Sequence, residues 1–147
     1  MLETIRTRFA SFAPLFLRFG IGIVFLLFAA NKLGEAAQGR QEIIALLGIN
    51  LETSAALNYA LGVTELLVGT SFLLGAYIKY TGILGAFLIT SFFSAIVFKY
   101  GISQDATLNR DLGLIGSSIA LWFLGAGPLS VDAWLAKRKN AASPPQA

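Results

Sequence analysis

Four long apolar runs dominate this chain of 147 residues and constrain its fold more than any other feature. They cover about residues 9–33, 55–78, 80–98 and 111–128. A helix of about 20 apolar residues crosses the ~30 Å hydrocarbon core of a bilayer. Each run is apolar on all sides, which is unlike the surface helices of soluble proteins. The runs therefore predict an all-α membrane protein built as a bundle of four transmembrane helices.

Composition excludes several classes of protein. Only 13% of the residues are charged, whereas soluble domains usually have about 25%. The chain contains no Cys and no His, so disulfide frameworks, zinc fingers, thiolate nucleophiles and His-ligated haem cannot be built from it. We expect no metal site. The formal net charge is only +3 and the basic residues are scattered between the apolar runs, which argues against nucleic-acid binding.

The segments between the runs predict the topology. Membrane proteins keep more Lys and Arg on the cytoplasmic side. One side collects Arg6, Arg8, Lys79, Lys137, Arg138 and Lys139, and the other collects Lys32, Arg40, Lys99 and Arg110 together with most of the acidic residues. This distribution predicts a multi-pass protein of the inner membrane with both termini in the cytoplasm.

Two segments outside the runs have their own predictions. Within the long connection between the first two runs, Glu42–Gly48 places Ile43, Leu46 and Leu47 on one helical face. This pattern predicts a helix at the outer membrane interface. The bundle is predicted to occupy residues 1–137 as one domain. Residues 138–147 end in small, polar and Pro residues, which is typical of a disordered cytoplasmic tail.

Two ionisable side chains, Arg18 and Glu65, fall inside the apolar runs. Such groups cost a few kcal/mol at membrane depth, so they normally face the bundle interior and have a partner there. One face of the first helix carries Arg18, Gly22, Phe25, Ala29 and Lys32, and one face of the second carries Gly62, Glu65, Gly69 and Ala76. Because small residues let helices approach closely, the two faces are predicted to pack together.

The sequence alone does not identify the partner of Glu65. Arg18 lies ~8 Å from the membrane centre at 1.5 Å per residue, and an extended arginine nearly covers that distance. One hypothesis is therefore a direct or water-mediated Arg18–Glu65 pair that fixes helix packing. Another makes Glu65 a protonatable group in a ligand cavity. A second polar cluster joins Lys32 to Asn109-Arg110-Asp111, where Asp111 is predicted to cap the N-terminus of the fourth helix.

Three segments carry a family pattern. They are LFLRFGIGIVFLLFAANKL (Leu15–Leu33), GVTELLVGTSFLLGAYIKYTG (Gly62–Gly82) and RDLGLIGSSIALWFLGAGPLSVDAWL (Arg110–Leu135). An arginine-bearing first helix ends in Lys-Leu, a second contains Glu-Leu-x-x-Gly, and a fourth begins with Asp-Leu and ends on Gly-x-Gly-Pro-x-Ser-x-Asp. In this order the segments resemble the DoxX family of small four-helix membrane proteins. The resemblance makes four matching positions candidate ligand-binding residues, which are Arg18, Lys32, Glu65 and Asp111. It assigns no catalytic residue.

The resemblance also implies a function. Members of the family are linked to thiosulfate:quinone oxidoreductase as a membrane subunit that passes electrons to quinone, and others to redox-stress complexes. It implies an oxidoreductase subunit with a quinone as ligand, no covalently bound cofactor, and a redox protein partner or a second copy of the chain. A branch of the family that uses cysteines for thiol–disulfide chemistry is excluded, because this chain has none.

Three functions remain open from the sequence. A quinone subunit needs an apolar cavity with a donor and an acceptor for the ring oxygens, which Arg18 with Glu65, or Lys32 with Asp111, could supply. With no redox centre of its own, such a subunit takes electrons from a partner. The second possibility is a non-catalytic assembly or anchoring subunit. The third and least favoured is a proton-coupled carrier with Glu65 as the coupling group, since no inverted repeat is visible.

Overall fold

In the computed structural model, residues 2–102 and 106–142 are described, and all regular secondary structure in these ranges is helical. The elements in chain order are α1 (Leu2–Phe9), a short 3-10 turn (Ala10–Phe12), α2 (Ala13–Gly34), α3 (Ala36–Leu47), α4 (Leu51–Leu74), α5 (Ile78–Tyr100), α6 (Ala106–Leu124) and α7 (Val131–Ala142). The predicted all-α fold is confirmed.

Within the described residues, three helical segments are long and apolar enough to cross a membrane. They are Thr7–Gly34, Leu51–Leu74 and Ile78–Tyr100, and they correspond to the first three predicted spans. Large apolar side chains on these segments point outward; Phe16 is 75% exposed and Phe87 is 67% exposed. Such a surface suits lipid, because acyl chains are as apolar as these side chains. The protein is a membrane protein with several apolar helices.

The helix α6 is the exception among the four predicted spans. It is 19 residues long, and its first turns carry Asn109, Arg110 and Asp111. These polar residues shorten its apolar part, so α6 does not join the three segments above.

The centre of the bundle is the antiparallel packing of α2 against α4. A Cβ atom built on Gly22 would lie 3.1 Å from the carbonyl oxygen of Gly69, and one built on Gly69 would lie 3.0 Å from the carbonyl oxygen of Gly22. Glycine at both positions therefore lets the two backbones meet. Phe25 of α2 and Phe72 of α4 pack edge to face beside this contact, with ring centroids 5.5 Å apart. The predicted packing of these two helical faces is confirmed.

The interfacial helix predicted at Glu42–Gly48 is present as α3, but it is longer and begins at Ala36. Ile43 is buried against the bundle, whereas Leu47 of the same predicted face is exposed. The helix ends at Leu47 and is followed by Gly48, whose φ of 67° is a left-handed conformation that glycine adopts easily. Lys99, in the last turn of α5, donates hydrogen bonds to the Ala45 and Leu46 carbonyl oxygens near the end of α3.

The opposite end of the bundle is held by the first turn of α7. The carboxylate of Asp132 accepts hydrogen bonds from the backbone N–H groups of Tyr77 (2.8 Å) and Ile78 (3.0 Å) at the start of α5. The N–H of Asp132 in turn donates to the carbonyl oxygen of Gly75. We call this end of the molecule the α7 end, and the other, which α3 covers, the α3 end.

The predicted tail differs from the structure where the two can be compared. The helix α7 continues to Ala142, so residues 138–142 are helical rather than disordered. The basic residues in this segment are good helix formers, and Lys139 in the last turn interacts favourably with the helix dipole. Residues 143–147 of the predicted tail lie outside the described residues.

Candidate ligand site at the α3 end

A buried ion pair joins α2 to α4 at the α3 end. The Nζ atom of Lys32 donates a hydrogen bond to Oε1 of Glu65 at 2.8 Å, and the two side chains are 19% and 3% exposed. The ammonium group also lies 5.1 Å from the ring centroid of Phe92 and 5.6 Å from that of Phe28. Both rings are close enough for cation–π attraction. The Lys32 cation is therefore held by a carboxylate and two aromatic faces.

The direction of helical side chains explains this pairing. Every Cα–Cβ bond in an α-helix tilts toward the N-terminus. Lys32, in the last turn of α2, therefore points back into the bundle, and Glu65 on the antiparallel α4 points toward it. A Cβ atom on Gly62 would lie only 3.2 Å from the Cβ atom of Lys32, so the glycine gives the lysine side chain room to pass α4.

The hypothesis of an Arg18–Glu65 pair is wrong. Arg18 lies near the start of α2, and the same tilt carries its side chain toward the α7 end, away from Glu65. There it is fully buried, and Nη2 donates to the carbonyl oxygen of Leu129 at 2.6 Å. Its Nε and Nη1 atoms have no hydrogen-bond partner among the described residues, and the Asp132 carboxylate acts on it electrostatically. Arg18 is therefore separated from the other three candidates.

A second ion pair comes from α6. Arg110 donates from Nη2 and Nε to Oδ1 of the neighbouring Asp111, at 3.1 and 3.2 Å. The arginine side chain is half exposed and the aspartate is buried, and the guanidinium carbon lies 4.8 Å from the ring centroid of Phe28. The prediction that Asp111 caps the helix is wrong, because α6 begins earlier, at Ala106. Asp111 instead faces the interior from the second turn.

The two ion pairs line the same cavity, whose volume is about 280 Å³. It lies between α2, α4, α5 and α6, and α3 covers it. Its lining residues are Phe28, Asn31, Lys32, Gly39, Glu42, Ile43, Leu46, Glu65, Ile89, Phe92, Ile96, Arg110 and Asp111. The buried Oε2 atom of Glu65 has no hydrogen-bond partner in the described part of the chain. The cavity thus brings Lys32, Glu65 and Asp111 together, as three of the four candidate positions.

Sequence reasoning missed several residues of this site. Phe28 and Phe92, which form its aromatic walls, are not among the predicted site residues. The sequence places Arg110 only in a polar cluster and not among the candidate ligand-binding residues. Asn58 is buried and donates from Nδ2 to the carbonyl oxygen of Lys32 at 2.8 Å, which holds the last turn of α2. A signal for Asn58 existed, since it precedes Glu65 by seven residues and so lies on the same face of α4.

The chemistry of the cavity follows from these groups. Lys32 and Arg110 offer N–H donors, while Glu65 and Asp111 offer acceptor oxygens, and the formal charges of these four residues cancel. The rest of the lining is mainly aromatic or aliphatic, apart from the Asn31 amide and the Glu42 carboxylate; Glu42 accepts a hydrogen bond from Gln38. Pockets of this kind, mostly apolar with a few convergent polar groups, are typical of small-molecule sites. The arrangement suits a ligand with a flat apolar ring and polar atoms at its edge.

Comparison with known proteins identifies the family of this chain. The DoxX family model matches residues 13–101, from the start of α2 to the end of α5. This region contains Arg18, Lys32 and Glu65, whereas Asp111 lies beyond it. Searches of curated proteins and of solved structures found no match. Because the matched region covers more than half of the chain, the protein belongs to the DoxX family.

Proposed function

We propose that this protein is a membrane subunit that binds a quinone in the α3-end cavity and serves redox chemistry together with a partner protein. The observation that carries the proposal is the buried Lys32–Glu65 pair on the wall of an aromatic-sided cavity. A quinone needs N–H donors for its two ring oxygens and apolar faces for its ring. The cavity offers both within one space, and family membership supports the same choice of ligand.

Each group has a defined task in this proposal. The Lys32 ammonium and the Arg110 guanidinium donate to the quinone oxygens, and the unpartnered Oε2 of Glu65 accepts from the hydroxyl of the reduced form. Phe28 and Phe92 pack against the ring, since aromatic pairs gain about 0.5–1.5 kcal/mol beyond burial. Reduction of a quinone to the quinol consumes two electrons and two protons, and the protons come from water. The chain has no Cys and no His, so the electrons come from the partner.

The proposal also includes the topology. We take α6 as a fourth span, because it packs along α5. Gly82 of α5 lets Trp122 of α6 approach closely, since a Cβ atom on Gly82 would lie 3.1 Å from the Cβ atom of Trp122. The basic residues Lys79 and Lys137–Lys139 lie at the α7 end. By the excess of Lys and Arg on the cytoplasmic side, the α7 end faces the cytoplasm of an inner-membrane protein. The quinone cavity then lies in the outer half of the bundle.

The test is to measure quinone bound to the purified protein. The chain is extracted in a mild detergent, and isoprenoid quinone per chain is quantified by mass spectrometry of an organic extract. The wild type and an exposed-lysine control, Lys79→Met, should carry about one quinone per chain. A hydrogen bond from a charged donor contributes about 1.5–3 kcal/mol, so loss of the Lys32 ammonium in Lys32→Met should lower the bound quinone about tenfold or more.

Two outcomes would contradict the proposal. One is a wild-type protein that carries no quinone and binds none when it is added. The other is a folded Lys32→Met protein, verified by circular dichroism and gel filtration, that carries as much quinone as the control. A protein free of quinone that co-purifies with a partner would instead favour the assembly or anchoring function. Loss of proton-coupled uptake in Glu65→Gln liposomes would favour the carrier.

A further inference from the structure

The cavity at the α3 end that Lys32 and Glu65 line is called the ligand cavity below. A second, apolar cavity of about 200 Å³ lies beside it, between α3, α4 and α5. Its lining residues are Ile43, Leu46, Leu47, Leu57, Leu61, Ser91, Phe92 and Ala95. The hydroxyl group of Ser91 donates to the Phe87 carbonyl oxygen of its own helix at 2.8 Å. The lining therefore presents hydrocarbon and aromatic surface, with its one hydroxyl already bonded. We call this space the apolar groove.

The apolar groove and the ligand cavity are adjacent. Ile43, Leu46 and Phe92 line both of them, so at most one layer of side chains separates the two spaces. Two of these residues belong to α3, which covers both. The outer side of the groove is open, because Leu47 is 52% exposed and Ser91 is exposed as well. Movement of these shared side chains would let a molecule with a polar head in the cavity extend an apolar chain through the groove into lipid.

We propose that the ligand is a quinone with an isoprenoid tail, and that the first units of the tail occupy the apolar groove. This inference rests on the proposed function, because it places the head of the same ligand in the Lys32–Glu65 cavity. Size agrees with it: an apolar cavity of about 150 Å³ holds benzene in another protein. A groove of about 200 Å³ has room for roughly one or two five-carbon units by the same measure.

The groove affects binding as a path for the tail more than as a source of attraction. Lipid acyl chains are as apolar as the groove, so the tail gains little by leaving the bilayer. The groove instead gives the tail a path that keeps the ring between Phe28 and Phe92. Blocking that path should therefore affect quinones with a tail and spare quinones without one.

The experiment compares quinones with and without a tail on variants of three residues of α5. Ser91→Phe fills the groove, whereas Thr90→Phe adds the same side chain at an exposed position outside both cavities. Ala95→Phe is a second groove variant. The probes are a dimethoxy-methyl-benzoquinone and a methyl-naphthoquinone, each without a tail and with two isoprene units. Kd is measured by calorimetry in detergent on the full chain.

The expected result separates the two kinds of probe. Ser91→Phe and Ala95→Phe should weaken binding of the tailed quinone at least tenfold and change that of the tail-free quinone less than about twofold. Thr90→Phe should bind both as the wild type does. Equal effects on tailed and tail-free quinones, or no effect of either groove variant, would overturn the tail assignment while leaving the head site intact. If the wild type binds no probe, the proposed function fails, and this inference fails with it.

Discussion

Removing Lys32 should be among the most destabilising single changes in this protein. The ammonium and carboxylate are 2.8 Å apart, which gives an attraction of about 6 kcal/mol at an effective dielectric constant of 20. The lysine loses part of this by desolvation. The fate of Glu65 decides the outcome, because its side chain is only 3% exposed and its carboxylate loses its charged partner when the lysine is gone. Breaking a buried pair from one side typically costs about 3–5 kcal/mol, and we expect Lys32→Met to lie in this range.

The two partners should differ in their effect. In Glu65→Gln the remaining cation is Lys32, which is 19% exposed and lies against two aromatic rings, and its long side chain can move its charge toward the surface. This variant should therefore cost about 1–3 kcal/mol, typical of a buried hydrogen-bonding group that loses its partner. The double variant Lys32→Met/Glu65→Gln leaves no buried charge at this position. Its loss in the free energy of unfolding should be smaller than the sum of the two single losses by about 2 kcal/mol.

The assay is the free energy of unfolding, measured by titrating a denaturing detergent into mild-detergent micelles and following helicity. The exposed Lys79→Met serves as the control and should change the free energy of unfolding by less than about 0.5 kcal/mol. If the costs of the two single variants simply add in the double variant, the pair is not coupled. A Lys32→Met cost no larger than that of Lys79→Met would refute the argument from burial.

Two further predictions use glycine pairs as internal controls. Gly75 and Gly48 both have left-handed backbones, with φ of 65° and 67°, so alanine at either should cost about 1–2 kcal/mol. A Cβ atom at Gly75 would also overlap the buried guanidinium of Arg18, whereas a Cβ atom at Gly48 would meet open space. In thermal unfolding, Gly75→Ala should therefore lower Tm more than Gly48→Ala does. Equal decreases in Tm would contradict this prediction. In α4, Gly69→Ala places a Cβ atom 3.0 Å from the facing backbone and should cost about 1–3 kcal/mol by overpacking. Gly20→Ala in α2 meets nothing within 4 Å and should cause no loss; a Tm for Gly69→Ala at or above that of Gly20→Ala would argue against the close helix crossing.

Much of the fold follows from periodicity and apolar content. The spacing of Gly22 on α2 and of Gly62, Glu65 and Gly69 on α4 identifies the two faces that pack together, because residues three and four apart share a face in any helix. The apolar runs likewise locate α2, α4 and α5. They do not give the ends of these helices, since α4 begins four residues before the predicted span, where Asn50 accepts a hydrogen bond from the N–H of Thr53 and caps the helix.

The pairing within the site was harder to predict. Residues on a shared face all point into the bundle. The shared face does not give the position of each charged group along the helix axis. For a long cation that position depends on the tilt of the Cα–Cβ bond toward the helix N-terminus. The tilt sends Arg18 and Lys32, which share one face of α2, toward the α7 end and toward the bundle centre respectively. The aromatic walls were missed for another reason, because Phe28 and Phe92 belong to runs in which apolar residues are common and carry no distinguishing pattern.

The tilt also separates the buried charges into two groups that act differently. At the α7 end, Arg18 donates to the Leu129 carbonyl and lies close to Gly75 and Asp132, and none of these four residues lines either cavity. At the α3 end, Lys32 both stabilises Glu65 and borders the ligand cavity. Under the proposed function, stability and binding are therefore coupled at one end of α2 and independent at the other. A change in the Arg18 contacts should alter the free energy of unfolding without changing quinone affinity, whereas Lys32→Met should alter both.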